Sequence, residues 1–283
     1  MKTAIVTDTN SGISIRLAKE LGIYLISMPF FINGETYLEG TTCTPERFFQ
    51  AMRSNAEIST SQPSPQEITT LWERLLKEYD RVLHFPMTSG LSGACHTAKA
   101  LAQDYGGRVL VVDDRRISVT LMQSVCNAKV LLAQGHTAEE VVEILESERS
   151  ASSIYVAVNT LDRLRKSGRV TKAAAAMAAV LHIKPVLQIQ GGKLDAYKKV
   201  RGMNQAKKVL VEALWNDLRT RFHGMKMRVF SGYSGTNLTL GETWQKEVQN
   251  AFPNHKVDLI SLPLSICCHT GEGALGVACA KEW

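Results

Sequence analysis

The chain has 283 residues, 45% hydrophobic and 21% charged, and its 33 basic and 27 acidic side chains give a formal net charge of +6. That length carries a sizeable core and fits about two domains. No apolar run reaches the roughly 20 residues that cross a bilayer, and MKTAIVTD enters an alternating segment without the apolar stretch and cleavage site of a secretory leader, so the expected location is the cytoplasm.

TAIVTD reads as a strand, followed by a polar loop TNSG and an amphipathic helix ISIRLAKEL that stops at Gly22. YLISMPFFI and ETYLEG flank Asn33 and Gly34, a strong hairpin signal. In STSQPSPQE, Ser64 and Glu67 form a capping box with Pro65 at the first helical position, so a helix runs on through EITTLWERLLKEY. The cap leaves Thr60, Ser61 and Gln62 unexplained.

RVLHFPM and RVLVVD are buried-strand candidates, each followed by a helical segment. The first leads into MTSGLSGACHTAKAL, where Ser89, Ser92 and the amides of Gly93 and Ala94 stand near a helix N-terminus that favours an anion. Gly90 and Gly93 would let a ligand approach the backbone; the simpler reading is serine capping in a loop. Read together with Thr60 to Gln62, however, two hydroxyl-bearing loops beside strands of one sheet would hold one carboxylate or phosphate. Thr137 and Glu140 make another capping box, opening AEEVVEILESE.

Near residue 153 the pattern changes. SIYVAVN leads into two short helices, and KPVLQIQ and KLDAYKKV then meet as an antiparallel hairpin across Gly191 and Gly192. A long helix NQAKKVLVEALWNDLRTRF follows, then MKMRVFSGYS, a helix around ETWQKEVQNAF, and strands KVDLISLP and ALGVACA. The expected fold is therefore α/β: residues 1–152 with a mainly parallel sheet and flanking helices, and residues 153–283 with a mixed sheet.

TKAAAAMAAVL, residues 171–181, is either a closely packed alanine helix or one thinned beside an apolar tunnel. Residues 163–172 and 193–208 are basic, but no nucleic-acid reading motif or aromatic platform accompanies them; an anionic small molecule, a membrane surface or an acidic protein suits them better. Gly271, Gly273 and Gly276 match G-x-G-x-x-G, yet only seven residues follow, too few for the helix, strand and acidic residue of a dinucleotide site. A tight glycine turn between two strands is expected instead. Cys267, Cys268 and His269 lack a second ligand cluster, so no metal is expected, and the six scattered cysteines suit free thiols. With neither a G-x-x-x-x-G-K-[ST] loop nor a G-x-S-x-G elbow, the chain reads as a binder without its own nucleotide site or cofactor. His269 is either a satisfied core histidine or a donor from the second domain.

IVTDTNSGI, TSQPSP, TSGLSGACHTA, LDRLRKSGRV, HIKPVLQIQGGKL and HTGEGALGV, in that order over nearly the whole chain, resemble the DegV family of bacterial fatty-acid-binding proteins, lipid-carrying subunits of fatty acid kinase. The resemblance implies two α/β domains clasping one long-chain fatty acid, its acyl chain in an apolar tunnel and its carboxyl group at the cleft. Thr60 and Ser92 match the carboxylate-binding hydroxyls and His269 the nearby histidine; Ser61 and Gln62 would satisfy the loop around Thr60, and Ser61 with the Gly93 amide of the helix start joins the candidate ligand-binding set. Arg169 and Arg201 match basic positions of the partner-facing region. The implied partner is a separate ATP-dependent kinase that makes the acyl-phosphate. A basic face would also dock transiently on an anionic membrane. Ala94 stands where many relatives have Thr, and Glu272 where the turn commonly has Pro. The competing reading is a stand-alone acyl or phosphoryl transferase using Ser92 or Cys95 with His96 or His269.

Overall fold

The structure is a computed structural model that describes residues 1–177, 183–190 and 192–283. Along the chain run β1 (Thr3–Asp8), α1 (Ile15–Leu21), β2 (Tyr24–Ile26), β3 (Pro29–Ile32), β4 (Glu35–Leu38), α2 (Pro45–Arg53), β5 (Ile58–Thr60), α3 (Pro65–Leu75), β6 (Arg81–Phe85), α4 (Ala94–Ala102), β7 (Val109–Val111), α5 (Ser118–Ala133) and α6 (Ala138–Ser147). They continue with β8 (Ser152–Ala157), α7 (Asp162–Ser167), α8 (Lys172–Ala176), β9 (Lys184–Ile189), β10 (Leu194–Val200), α9 (Met203–Arg219), β11 (Met227–Tyr233), α10 (Leu238–Ala251), β12 (Val257–Ser261), α11 (Leu264–Thr270) and β13 (Leu275–Lys281).

The first sheet is parallel throughout, in the order β2-β1-β6-β7. The chain leaves β1 towards one edge and β6 lies on the other side, so the carboxyl ends of β1 and β6 flank the switch point where α/β sheets leave a crevice. The second sheet is mixed, ordered β10-β9-β8-β13-β11-β12, and every one of its strands follows residue 151. Its register sorts the side chains into two faces. Ile154, Val156, Ala278 and Phe230 turn to the core shared with the parallel sheet, while Tyr155, Val277, Cys279 and Val229 pack in a second cluster with α9 and α10 residues such as Leu210 and Trp244.

Between the sheets runs α5, buried on most of its circumference, as a helix apolar on all sides must be. Asn127 on it donates to the carbonyl of Lys281 at 2.8 Å, tying the helix to the end of β13.

A third sheet, β4-β3-β5, is antiparallel. Its hairpin turns on Asn33 and Gly34, with φ of 50° and 82°, as an Asn-Gly turn demands. YLISMPFFI is therefore not one strand: it divides at Ser27 and Met28 between the parallel sheet and this small one, where Thr9 Oγ1 accepts the Met28 N–H at 3.0 Å. Phe30, Phe48 and Phe49 of this layer pack against Leu264, Cys267 and Cys268 of α11. A helix from the far end of the chain thus rests on residues 29–60. The capping boxes at Ser64–Glu67 and Thr137–Glu140 form as the sequence predicts.

Candidate functional site

Three polar loops converge at the switch point. The loop after β1 supplies Asn10, the end of β5 supplies Thr60 and Ser61, and the loop after β6 supplies Ser92; α11 adds His269 and the residue after α7's terminal Gly168 adds Arg169. Together they line one polar chamber. Thr60 Oγ1 lies 3.0 Å from His269 Nε2.

Thr60, Ser92 and His269 are each held by neighbouring groups. Gln62 donates to Thr97 Oγ1 of α4 at 3.1 Å, pinning the Thr60 loop to the helix behind Ser92. Ser92 Oγ accepts the Ala94 N–H at 3.2 Å, which leaves its own proton for a ligand. The amide of Leu264 donates to Glu39 Oε1, and Ser265 Oγ donates to Glu39 Oε2 at 2.7 Å, so a buried acid just past β4 anchors the start of α11 and with it His269. Burial raises the Glu39 carboxyl above the usual range. Burial, then the Arg169 charge, lowers His269 to about 4, so its imidazole is neutral near pH 7. A neutral ring donating from Nε2 lets Thr60 accept it and turn its own single proton on an anion in the chamber.

The polar chamber adjoins an apolar one, and Leu91, Ile117, Leu194, Ile266 and Thr270 border both. The apolar floor is the core-facing side of the mixed sheet. Gly232 of β11 and Gly276 of β13 are cross-strand partners there, so the floor carries no side chain at its middle. Among residues the sequence reading missed are Gly232, together with Asn10, Leu194 and Ser265 of the polar chamber.

Several expected placements are corrected. Gly276 lies in a strand, and the positive-φ glycines 271 and 273 join α11 to β13 rather than two strands. Gly90 admits the backbone of the β9–β10 turn, not a ligand: a Cβ there would overlap the carbonyl oxygen of Gly192. Gly93 is exposed at the start of α4, where a Cβ would fall 3.0 Å from Gln62 Oε1.

Arg169 lines the polar chamber, whereas Arg201 is exposed just past the other end of β10, about 20 Å from Leu194 at strand rise. Glu272 turns to Arg53, with Oε1 2.7 Å from Nη1, and so its carboxylate is paired at the surface. In the transferase reading, burial pushes the Cys95 thiol up to about 12, Cys95 borders neither chamber, His96 is exposed, and His269 pairs with Thr60. Of the alanine-rich segment, α8 covers Lys172–Ala176; residues 178–181 lie outside the described residues. Among the described residues no cluster of three metal-binding side chains occurs, and no helix is long and apolar enough to cross a membrane.

A parallel and a mixed sheet with a polar pocket and an adjoining apolar one define a class of α/β protein. The chain belongs to the DegV family: the family model described as "Uncharacterised protein, DegV family" matches residues 2–282. It is 31% identical over 282 residues to a DegV domain-containing protein of Deinococcus radiodurans, covering 98% of each chain. Among solved structures it is similar to a DegV family protein of Thermus thermophilus described by its fatty acid binding, with TM-score 0.89, 30% identity and coverage of 99% and 100%. A fatty acid binding DegV family protein of Streptococcus agalactiae matches with TM-score 0.90, 26% identity and full coverage of both chains.

Proposed function

We propose that the protein binds one long-chain fatty acid, with the carboxylate in the polar chamber and the acyl chain in the apolar one, and carries it without transforming it. The adjoining of the two chambers is the observation that carries this reading. At about 0.8 kcal/mol per buried methylene, a 16-carbon chain supplies roughly 10 kcal/mol before ordering costs. A carboxylate leaving water without partners would cancel several kcal/mol of that. Thr60, Ser92 and Arg169 are the groups that would receive it, with His269 acting through Thr60. Ser61 would border the mouth and Gly93 would keep Gln62 seated. The described DegV relatives from Thermus thermophilus and Streptococcus agalactiae support the ligand class.

In the same reading, residues 1–152 form the carboxylate-binding domain and residues 153–283 the domain that closes an acyl tunnel. A separate ATP-dependent fatty acid kinase phosphorylates the presented carboxyl group in the cytoplasm, and Arg201 faces that partner. The basic stretches around residues 163–172 and 193–208 meet where Val170 bridges Leu194, which supports transient docking on an anionic membrane for loading. Denaturing extraction and mass spectrometry of purified protein should release a stoichiometric long-chain acid; release of a polar metabolite instead would refute the reading. Acyl-phosphate made from ATP by the pure protein would favour the transferase.

A further inference from the structure

Beyond the apolar chamber, on the far side of β12, lies a groove open to solvent. Ile260 and Leu262 border both spaces. We propose that these two side chains are a movable partition, and that the methyl end of an acyl chain longer than the closed chamber passes between them into the groove beneath Ile15. The inference rests on the fatty-acid reading above and adds a determinant of chain length.

The topology orders the ligand. The polar chamber meets the apolar one at Leu194 of β10 and also at Ile266 and Thr270 of α11, and the apolar lining runs from Leu194 across the sheet to Ile260 of β12, the opposite edge, five strand spacings or about 24 Å away. An acyl chain that enters past Leu194 would therefore run along this lining towards β12. There the register sets Gly232 beside Ile260, and a Cβ on Gly232 would reach Leu262 Cδ2 only at 3.7 Å. A Cβ there would be in ordinary contact with Leu262, so Leu262 is the side chain that has to rotate for a ligand carbon to pass.

On the groove side Gly12 stands directly against the partition: a Cβ on it would touch Ile260 Cγ2 at 3.6 Å. Both partition residues are only partly buried, so they are not locked in the close-packed core. The groove beyond offers alkyl surface from Ile13, Ile15 and Leu259, and Ile15 is 45% exposed. Its bordering acid, Glu39, is engaged by Leu264 and Ser265 rather than directed at the passage.

The test is competition binding, against a fluorescent fatty acid, of saturated acids from 14 to 22 carbons. It uses delipidated wild-type protein, Leu262→Ala, and Ile15→Asp, an exposed change that leaves the core untouched. The quantity read is the affinity for the 22-carbon acid relative to the 16-carbon acid. Leu262→Ala should raise this ratio about tenfold, and Ile15→Asp should lower it about tenfold while the 16-carbon affinity stays within about threefold of wild type, since each buried methylene is worth about fourfold. An unchanged ratio in both variants, with 16-carbon binding intact, overturns the partition alone. Failure of wild-type protein to bind any acid of the series overturns the fatty-acid reading itself, and the partition with it.

Discussion

Thr60 Oγ1 lies 3.0 Å from His269 Nε2 although 209 residues separate them, and two layers of structure are needed to bring them together. Thr60 ends β5, a three-residue strand held by pairing with β3, and His269 rides on α11, which packs on that same small sheet. In the fatty-acid reading proposed above the pair would act as a relay: with the proton on Nε2, the imidazole donates to the hydroxyl oxygen and leaves the hydroxyl proton for the ligand carboxylate. Thr60→Val preserves shape and removes the donor. Hydrogen bonds to charged groups contribute about 1.5–3 kcal/mol, so the dissociation constant for a 16-carbon acid should rise roughly 10- to 150-fold with little change in thermal unfolding. An unchanged constant by fluorescence displacement would remove Thr60 from the headgroup site.

The relay also predicts a pH signature. His269 has its folded value lowered to about 4 by burial and by Arg169, below the about 6.5 of an unfolded histidine. The unfolded chain therefore takes up the proton first, and stability present above pH 6.5 is lost as pH falls towards 4. Asp8 runs the other way: burial, only partly offset by the Met87 and Asn10 amides, raises it to about 7, so its contribution declines as pH rises from about 4 to 7. Subtracting the unfolding curve of His269→Asn from that of wild type isolates the first effect. The difference should shrink from pH 6.5 to pH 4, and the His269 ring should titrate near pH 4 by NMR in the ligand-free protein.

Gly90 carries a prediction about closure. Its Cα faces the backbone of Gly192, whose own φ is 113°, and Thr88 Oγ1 accepts the Gly90 N–H at 3.1 Å. Gly90→Ala drives a methyl group into a carbonyl oxygen and must separate the serine loop from the β9–β10 turn. Overpacking of this kind costs about 1–3 kcal/mol, which for a chain of this size lowers the melting temperature by a few degrees per kcal/mol. Gly93→Ala, whose Cβ meets only the end of the Gln62 side chain, should lose less in the same thermal scans.

What could be read in the sequence was whatever local chemistry decides. The Ser64–Glu67 and Thr137–Glu140 caps and the Asn33–Gly34 turn specify themselves within four residues, and all three form. Helix α11 escaped notice because Pro263, at its start, makes no side-chain cap; the acid that holds its first turn is Glu39, 225 residues away. Strand β5 escaped because IST is too short to show a period and depends on β3 for its partner. Gly90, Gly232 and Gly276 were visible as glycines, but their reasons lie in other segments: the Gly192 carbonyl for one and an empty sheet floor for the others. Thr60 stood out as a hydroxyl without a local job and Ser92 as one that could cap its own helix, and the structure sets both on the wall of one chamber while Ser92 also takes the Ala94 amide.

That empty floor yields a substitution that separates binding from folding. A Cβ on Gly232 would meet Leu262 Cδ2 at 3.7 Å and the Ile260 carbonyl oxygen at 3.8 Å, both ordinary contacts, so Gly232→Val should fold with near-normal thermal stability. Its methyl groups would occupy the space assigned to the acyl chain. Excluding two or three methylenes at about 0.8 kcal/mol each should weaken a 16-carbon acid by roughly 15- to 60-fold. Gly276→Val faces a different obstacle, since its Cβ would come within 3.2 Å of the Tyr155 carbonyl oxygen across the strand pair, and it should lose stability as well as ligand. Calorimetry with a 16-carbon acid and parallel thermal scans distinguish the two. A Gly232→Val protein that binds as wild type would mean the acyl chain does not cross the middle of this sheet.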